Sequence, residues 1–171
     1  IKNLKGTIMK TLLLTHKADP DGISPIIFLK MLGTNFDYIL LNANDIIPKV
    51  QEIINNKSYL NYDEIIITDL TLDKSTCDLI MNTGNSQRFK LFDHHAFNLV
   101  ANDYPFGTAI STNSEGINEC ATSLFYKYLA NAYPTIFDKP SVREYTELVR
   151  LSDTWDWAKT NNLDAKKLND L

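Results

Sequence analysis

Leu91-Phe92-Asp93-His94-His95 sets two of the chain's three histidines side by side behind an acid. The segment leading into them, Arg88 to Phe92, is short and mostly apolar, and it breaks off where the polar residues begin, as a buried strand does. The third histidine stands in Thr15-His16-Lys17-Ala18-Asp19-Pro20-Asp21-Gly22, and it too follows a short apolar run, Thr11 to Thr15. In open α/β sheets, ligands gather at the carboxyl ends of the strands. Two His/Asp clusters at two such ends are therefore expected to share one metal site.

Working outward, Leu12-Leu13-Leu14 is apolar on both faces, as a central parallel strand should be. Ser24 suits an N-cap and Pro25 a first helical position, where no amide hydrogen is needed, which predicts a helix over Pro25 to Leu32 stopped by Gly33. Tyr38 to Leu41 reads as the second strand, followed by a helix over Pro48 to Ile54 with Asp45 or Asn44 near its start. Glu64 to Thr68 is the third strand, with Asp69 directly behind it, and a helix runs from Asp73 to Met81 and ends at Gly84. Gly107 to Thr112 reads as a fifth, shorter strand. Two more helices are expected, from Asn118 or Glu119 to Ala130 and from Val142 to Leu151, the latter closing in Ser152-Asp153-Thr154-Trp155-Asp156-Trp157. Strands alternating with helices give an α/β fold, a doubly wound, mainly parallel sheet of about five strands with helices on both faces.

With 171 residues and 44% hydrophobic content, the chain can build one domain with its own core. The net charge of −4 is no footprint for a long nucleic-acid duplex. It allows a small anionic substrate, because bound divalent cations would change the local sign. Cys77 and Cys120 match no metal or redox spacing and read as reduced, cytoplasmic residues. No apolar run is long enough to span a membrane, and Ile1 to Lys10 lacks the apolar core of a secretory signal. Residues 1–8, ahead of Met9, read as an extraneous or ragged start.

Singly, the polar residues have ordinary explanations. An acid after a strand is commonly a turn residue or a helix cap, Asp19-Pro20-Asp21-Gly22 is a good turn sequence, and one histidine can be structural. Together they are harder to explain that way. Parallel topology brings His16, Asp19, Asp21, Asp69, Asp93, His94 and His95 to one edge of the sheet, where crowded carboxylates repel one another and cations relieve the repulsion. Carboxylates with imidazoles and no thiolate suit manganese, magnesium or cobalt better than a structural zinc. The ligands exceed what one ion needs, so two divalent ions are expected. Successive side chains of a strand alternate, so one of His94 and His95 can bind metal while the other reaches toward a substrate.

The chain resembles the DHH family of phosphoesterases, named for an Asp-His-His run, through four separated motifs between Met9 and Trp157. These are His16-x-x-Asp19-x-Asp21-Gly22, Asp69, Asp93-His94-His95, and Asp153 in Leu151-Ser152-Asp153-Thr154. The resemblance implies that His16 and Asp19 bind one metal, that Asp21 and His94 bind the other, that Asp69 bridges both, and that Asp153 completes the set. It also implies that His95 contacts the phosphate while Asp93 orients a histidine. Asp156 is the competitor to Asp153 as last ligand. Many family members carry a further C-terminal domain, rich in glycine and histidine, that binds substrate. On that pattern residues 9–160 are the catalytic domain, and 161–171, which look like the start of a helix, begin a linker toward a second domain.

The implied activity is hydrolysis of phosphodiester bonds in short oligoribonucleotides or in cyclic nucleotides and dinucleotides. A hydroxide held between two ions roughly 3.5–4 Å apart would be the nucleophile. Small nucleotides or short single strands would be the partners, with no long duplex and no membrane, in a cytoplasmic enzyme that could be a homodimer. Two alternatives stand beside this: a pyrophosphatase or polyphosphatase on the same metals, and a non-catalytic scaffold. The first would need basic residues around a second phosphate, and the chain has only Arg88, Arg143 and Arg150. The second would lack motif residues, and here every motif position is filled. No aromatic or basic cluster for holding a nucleobase is evident from the sequence.

Overall fold

The computed structural model describes residues 10–170, so the segment 1–8 lies outside the described residues. Strand β1 (Lys10–His16) leads into α1 (Pro20–Leu32), then β2 (Asn35–Leu41) and α2 (Ile46–Asn55). β3 (Glu64–Thr68) is followed by α3 (Lys74–Asn82), and β4 (Phe89–Asp93) by a 3-10 segment, Ala96–Asp103, and β5 (Gly107–Ala109). After an irregular stretch, 110–120, closed by a bridge between Thr112 and Asn118, the remaining elements are helices: α4 (Ala121–Ala132), α5 (Pro134–Phe137), α6 (Pro140–Asp153), α7 (Trp157–Thr160) and α8 (Leu163–Asn169). The five strands form one sheet in the order β2-β1-β3-β4-β5, with every pairing parallel. The expected fold class is what the chain adopts.

Alternation along the central strands sends successive residues into two cores. Leu12, Leu14, Ile65, Ile67, Phe89 and Leu91 pack with α2 and α3 on one face. Leu13, Ile66 and Phe92 pack with α1, α4, α5 and α6 on the other. The order places β1 and β3 side by side although β2 lies between them in sequence. Connections therefore leave β1 and β3 toward opposite faces, and a crevice opens at the carboxyl ends of these two strands, the topological switch point. His16 ends β1, Asp69 follows β3, and Asp93 ends β4.

Most boundaries fall within two or three residues of expectation. The exception is α1, which begins at Pro20 with Asp19 as N-cap, so that Pro25 lies inside the helix. Ser24 is not the cap; its hydroxyl donates back to Pro20 O at 2.6 Å. An internal proline normally strands the carbonyl four residues earlier. Here that carbonyl belongs to Asp21, and the Thr122 hydroxyl donates to it at 2.9 Å. A tertiary contact thus replaces the lost helical bond and lets the helix start a full turn earlier. The same shift puts Asp19 and Asp21 on the helix's positive end. At the chain's other end, α8 packs against α6 and buries Ala165. No helix among the described residues is long and apolar enough to cross a membrane.

Candidate metal centre

Asp69 is the centre of the arrangement. Its backbone has φ +57°, a left-handed conformation that aspartate and asparagine tolerate best among residues with side chains. Its amide donates to Phe92 O at 3.0 Å, which holds the turn against β4. The buried carboxylate faces a different imidazole with each oxygen: Oδ2 lies 3.4 Å from His16 Nδ1 and Oδ1 lies 3.4 Å from His94 Nε2.

Each imidazole belongs to its own set of oxygens. His16 Nδ1 is also 3.1 Å from Asp19 Oδ2, and His16, Asp19 and Asp69 converge closely enough to hold an ion. His94 Nε2 is 3.4 Å from Asp153 Oδ2 and 3.9 Å from Asp21 Oδ2, and Asp21, His94 and Asp153 form a second convergent set. The buried Asp/His cluster can therefore hold metal ions, and its donors are carboxylates and imidazoles. A third grouping joins Asp69 and His94 with Asp93 and His95. Asp93, however, is fully buried and already engaged. It accepts from Thr71 Oγ1 at 2.9 Å, from the His94 amide at 2.9 Å and from the His95 ring Nδ1 at 2.7 Å. With Nδ1 so occupied, His95 is left with Nε2 to offer outward.

The electrostatics fit a cation site. Burial raises the Asp153 carboxyl to well above the usual carboxylate range, helped by the charge of Asp21 beside it. Asp153 is also the last residue of α6, at the negative end of the helix, where an anion is disfavoured. Its Oδ2 is buried and makes no hydrogen bond among the described residues. Burial and the charge of Asp69 likewise raise Asp21. The hydrogen bond to Asp69 lifts His16 to about 9. Burial alone would lower His94, but Asp69, Asp153 and Asp21 together raise it to about 9. Protons are thus retained where negative charge is crowded, and a divalent ion supplies the same neutralisation more strongly.

Asp21 is seated by groups that sequence reading missed. Its carboxylate accepts the Ala121 amide at 2.8 Å and the Thr122 amide at 2.7 Å, both at the N-terminus of α4. Cys120, the N-cap of that helix, lies against it, and burial pushes its thiol well above the usual value. Thr71 is the other omission. Nothing local marks these residues, because their partners lie about twenty or a hundred positions away in sequence.

Asp156 does not join the cluster. Arg150 Nη1 donates to its Oδ2 at 3.0 Å and Lys159 Nζ to its Oδ1 at 2.6 Å, and Arg150 also donates to Asn118 O at 2.9 Å. Arg150 keeps Glu147 as a partner, so removing Asp156 costs about 1–3 kcal/mol, the scale of losing hydrogen bonds to a charged group at a largely buried site. Asp156→Ala is therefore expected to lower the melting temperature by several degrees while leaving the increment gained on adding manganese unchanged. Differential scanning fluorimetry with and without the ion reads both, and a lost increment would put Asp156 among the ligands.

No family model matches the chain. It is 31% identical over 160 residues to oligoribonuclease NrnB of Bacillus subtilis (strain 168), an alignment that takes in 90% of this chain and 39% of that protein. The chain thus spans about two fifths of the length of this curated relative. In three dimensions it is similar, with a TM-score of 0.66 and 23% identity, to the crystal structure of an uncharacterized protein from Helicobacter pylori G27. That similarity covers 86% of this chain and 44% of the other, and it carries the fold.

Proposed function

We propose that the chain is the catalytic domain, residues 9–160, of a two-metal phosphoesterase of the DHH type that hydrolyses phosphodiester bonds in short oligoribonucleotides or cyclic nucleotides and dinucleotides. The observation that carries this reading is the placement of Asp69, one buried carboxylate with an oxygen turned toward each of two His/Asp sets. Similarity to an oligoribonuclease supports the substrate class. Two divalent ions, manganese by preference with magnesium or cobalt as substitutes, would lower the pKa of a water between them and offset charge on the phosphoryl oxygens.

The chain's own residues supply the rest. Asp69 would be shared by the two ions, His16 and Asp19 would hold one, and Asp21, His94 and Asp153 would hold the other. Asp93 fixes the ring of His95 through Nδ1, as partners of functional histidines commonly do. The Asp93 carboxylate also raises the His95 pKa, which favours a proton on Nε2. From there His95 can donate to a phosphoryl oxygen or to the leaving oxygen. Both described cysteines are buried and free, which suits a cytoplasmic setting. The three arginines are engaged by Tyr62 O, Asp138, and Glu147 with Asp156, so none stands free to clamp a second phosphate in the pyrophosphatase alternative.

Crystals grown with manganese should show two anomalous peaks, with Asp69 touching both; a single tetrahedral ion would end the two-metal reading. The role of Asp93 is separable by kinetics. Asp93→Ala is expected to lower activity on a dinucleotide by roughly 10–100-fold, the usual cost of removing the group that orients a functional histidine, with a smaller effect on metal affinity because the ring it holds is that of His95. A loss as large as that from replacing Asp69 would contradict the orienting role.

A further inference from the structure

The metal centre opens on one side into a cleft of about 630 Å³ whose walls include Asn44, Ile47, Asp69, Thr71, His95 and Phe97. Phe97 is its unusual member. It is 76% exposed, in a chain whose other phenylalanines are mostly buried, and it joins neither hydrophobic core. It lies on the 3-10 segment directly behind the histidine pair, with its ring centroid 5.4 Å from that of His95. We infer that this cleft is a base-stacking subsite, in which Phe97 takes the face of one nucleobase while the adjoining phosphodiester lies at His95. The inference rests on the phosphoesterase reading for what the metal centre does.

Three features favour a nucleobase over a protein segment. The cleft runs into His95 and Asp69, so a permanently docked chain would close off the groups meant to meet substrate. Its volume is that of a small-molecule site, and its exposed lining is mostly apolar, with Asp73 and Lys74 among the polar side chains at its wall. Asn44 is exposed at the wall and offers an amide that can both donate and accept, as the edge of a base requires. Stacking on an aromatic ring is tolerant of base identity and contributes about 1–3 kcal/mol per base. That suits an enzyme consuming short single strands of any sequence.

The test uses the intact protein, wild type and Phe97→Ala, with a dinucleotide and two analogues that each lack one of the two bases. Phe97→Ala should raise KM for the dinucleotide by roughly 5- to 150-fold, the stacking energy expressed as affinity. It should be silent on the analogue missing the stacked base, and Phe97→Trp should restore the wild-type value. A dinucleotide carrying 2-aminopurine, bound with calcium in place of manganese, should be quenched by the wild type and much less by Phe97→Ala. An unchanged KM, or an equal rise on both analogues, overturns the inference. So does a lower melting temperature of Phe97→Ala with unchanged quenching, which would make the ring an internal contact. If the wild type quenches but cleaves no phosphodiester, the subsite stands and the phosphoesterase reading falls. If it cleaves with no dependence on Phe97, only the subsite falls.

Discussion

Asp69→Asn should remove most of the response to manganese while leaving the fold in place. Asparagine is nearly isosteric and, like aspartate, accepts the left-handed conformation found at φ +57°. The amide bond from residue 69 to Phe92 O does not involve the side chain and is retained. What is lost is the charge facing both His16 and His94. At a manganese concentration 100 times its dissociation constant, an ion bound only by the folded state adds about 2.7 kcal/mol. For a chain of this size that raises the melting temperature by roughly 5–10 °C. In Asp69→Asn at the same concentration, most of that gain should vanish, because both ligand sets lose the oxygen they share. Activity should fall by at least about 10²–10³-fold, the scale of losing one preorganised electrostatic group. Asp69→Ala should add a fold penalty of about 1–2 kcal/mol, since alanine has no local hydrogen bond to offset the left-handed backbone. Thermal melts with and without the ion, followed by assay of the same samples, separate the two effects. An undiminished manganese shift in Asp69→Asn would remove Asp69 from the centre.

The sheet and most of the cluster could be read from the sequence because both depend on local pattern. Apolar runs ending in His16, Asp69 and Asp93 mark strand ends, and parallel order brings such ends together. The start of α1 could not be read, because the proline penalty at Pro25 is offset by the Thr122 hydroxyl, a residue 101 positions from the Asp21 carbonyl it meets. The seat of Asp21 on α4 was hidden for the same reason. Phe97 was missed because a phenylalanine beside apolar neighbours reads as core, and only the fold turns its ring outward. Asp153 and Asp156 illustrate the limit within one motif. Both are acids at the end of one predicted helix, and the positions of Arg150 and Lys159 tell which one is taken up by ion pairs.

Gly22→Ala should damage the site severely although it removes no functional group. Gly22 does not need glycine for its backbone angles; it needs it for clearance. A Cβ placed there would lie 2.1 Å from His16 O and 2.6 Å from His16 C, and contacts under 3.0 Å essentially never occur. The neighbouring atoms are backbone, so they cannot swing aside. The Thr15 hydroxyl also donates to Gly22 O at 2.5 Å and itself accepts from Thr68 Oγ1 at 2.8 Å, binding the first turn of α1 to β1 and β3. To admit a methyl group, α1 must retreat by about 1 Å, carrying Asp19 away from His16 and pulling Asp21 off the amides of Ala121 and Thr122. Overpacking of this kind costs about 1–3 kcal/mol, and more where nothing can yield. The upper figure corresponds to a fall of roughly 6–12 °C in melting temperature. A displacement of about 1 Å at the reacting groups is enough to cost on the order of 10²-fold in rate, so activity should fall further than stability alone explains. Gly33→Ala is the control. Its φ of +68° makes alanine strained, but no atom lies within 4 Å of the added Cβ, so it should lose about 1–2 kcal/mol and keep a full manganese response. Should Gly22→Ala melt like the wild type and respond fully to the ion, the contact between residues 16 and 22 would be free to relax, and the rigid seating of the first ligand set would have to be abandoned.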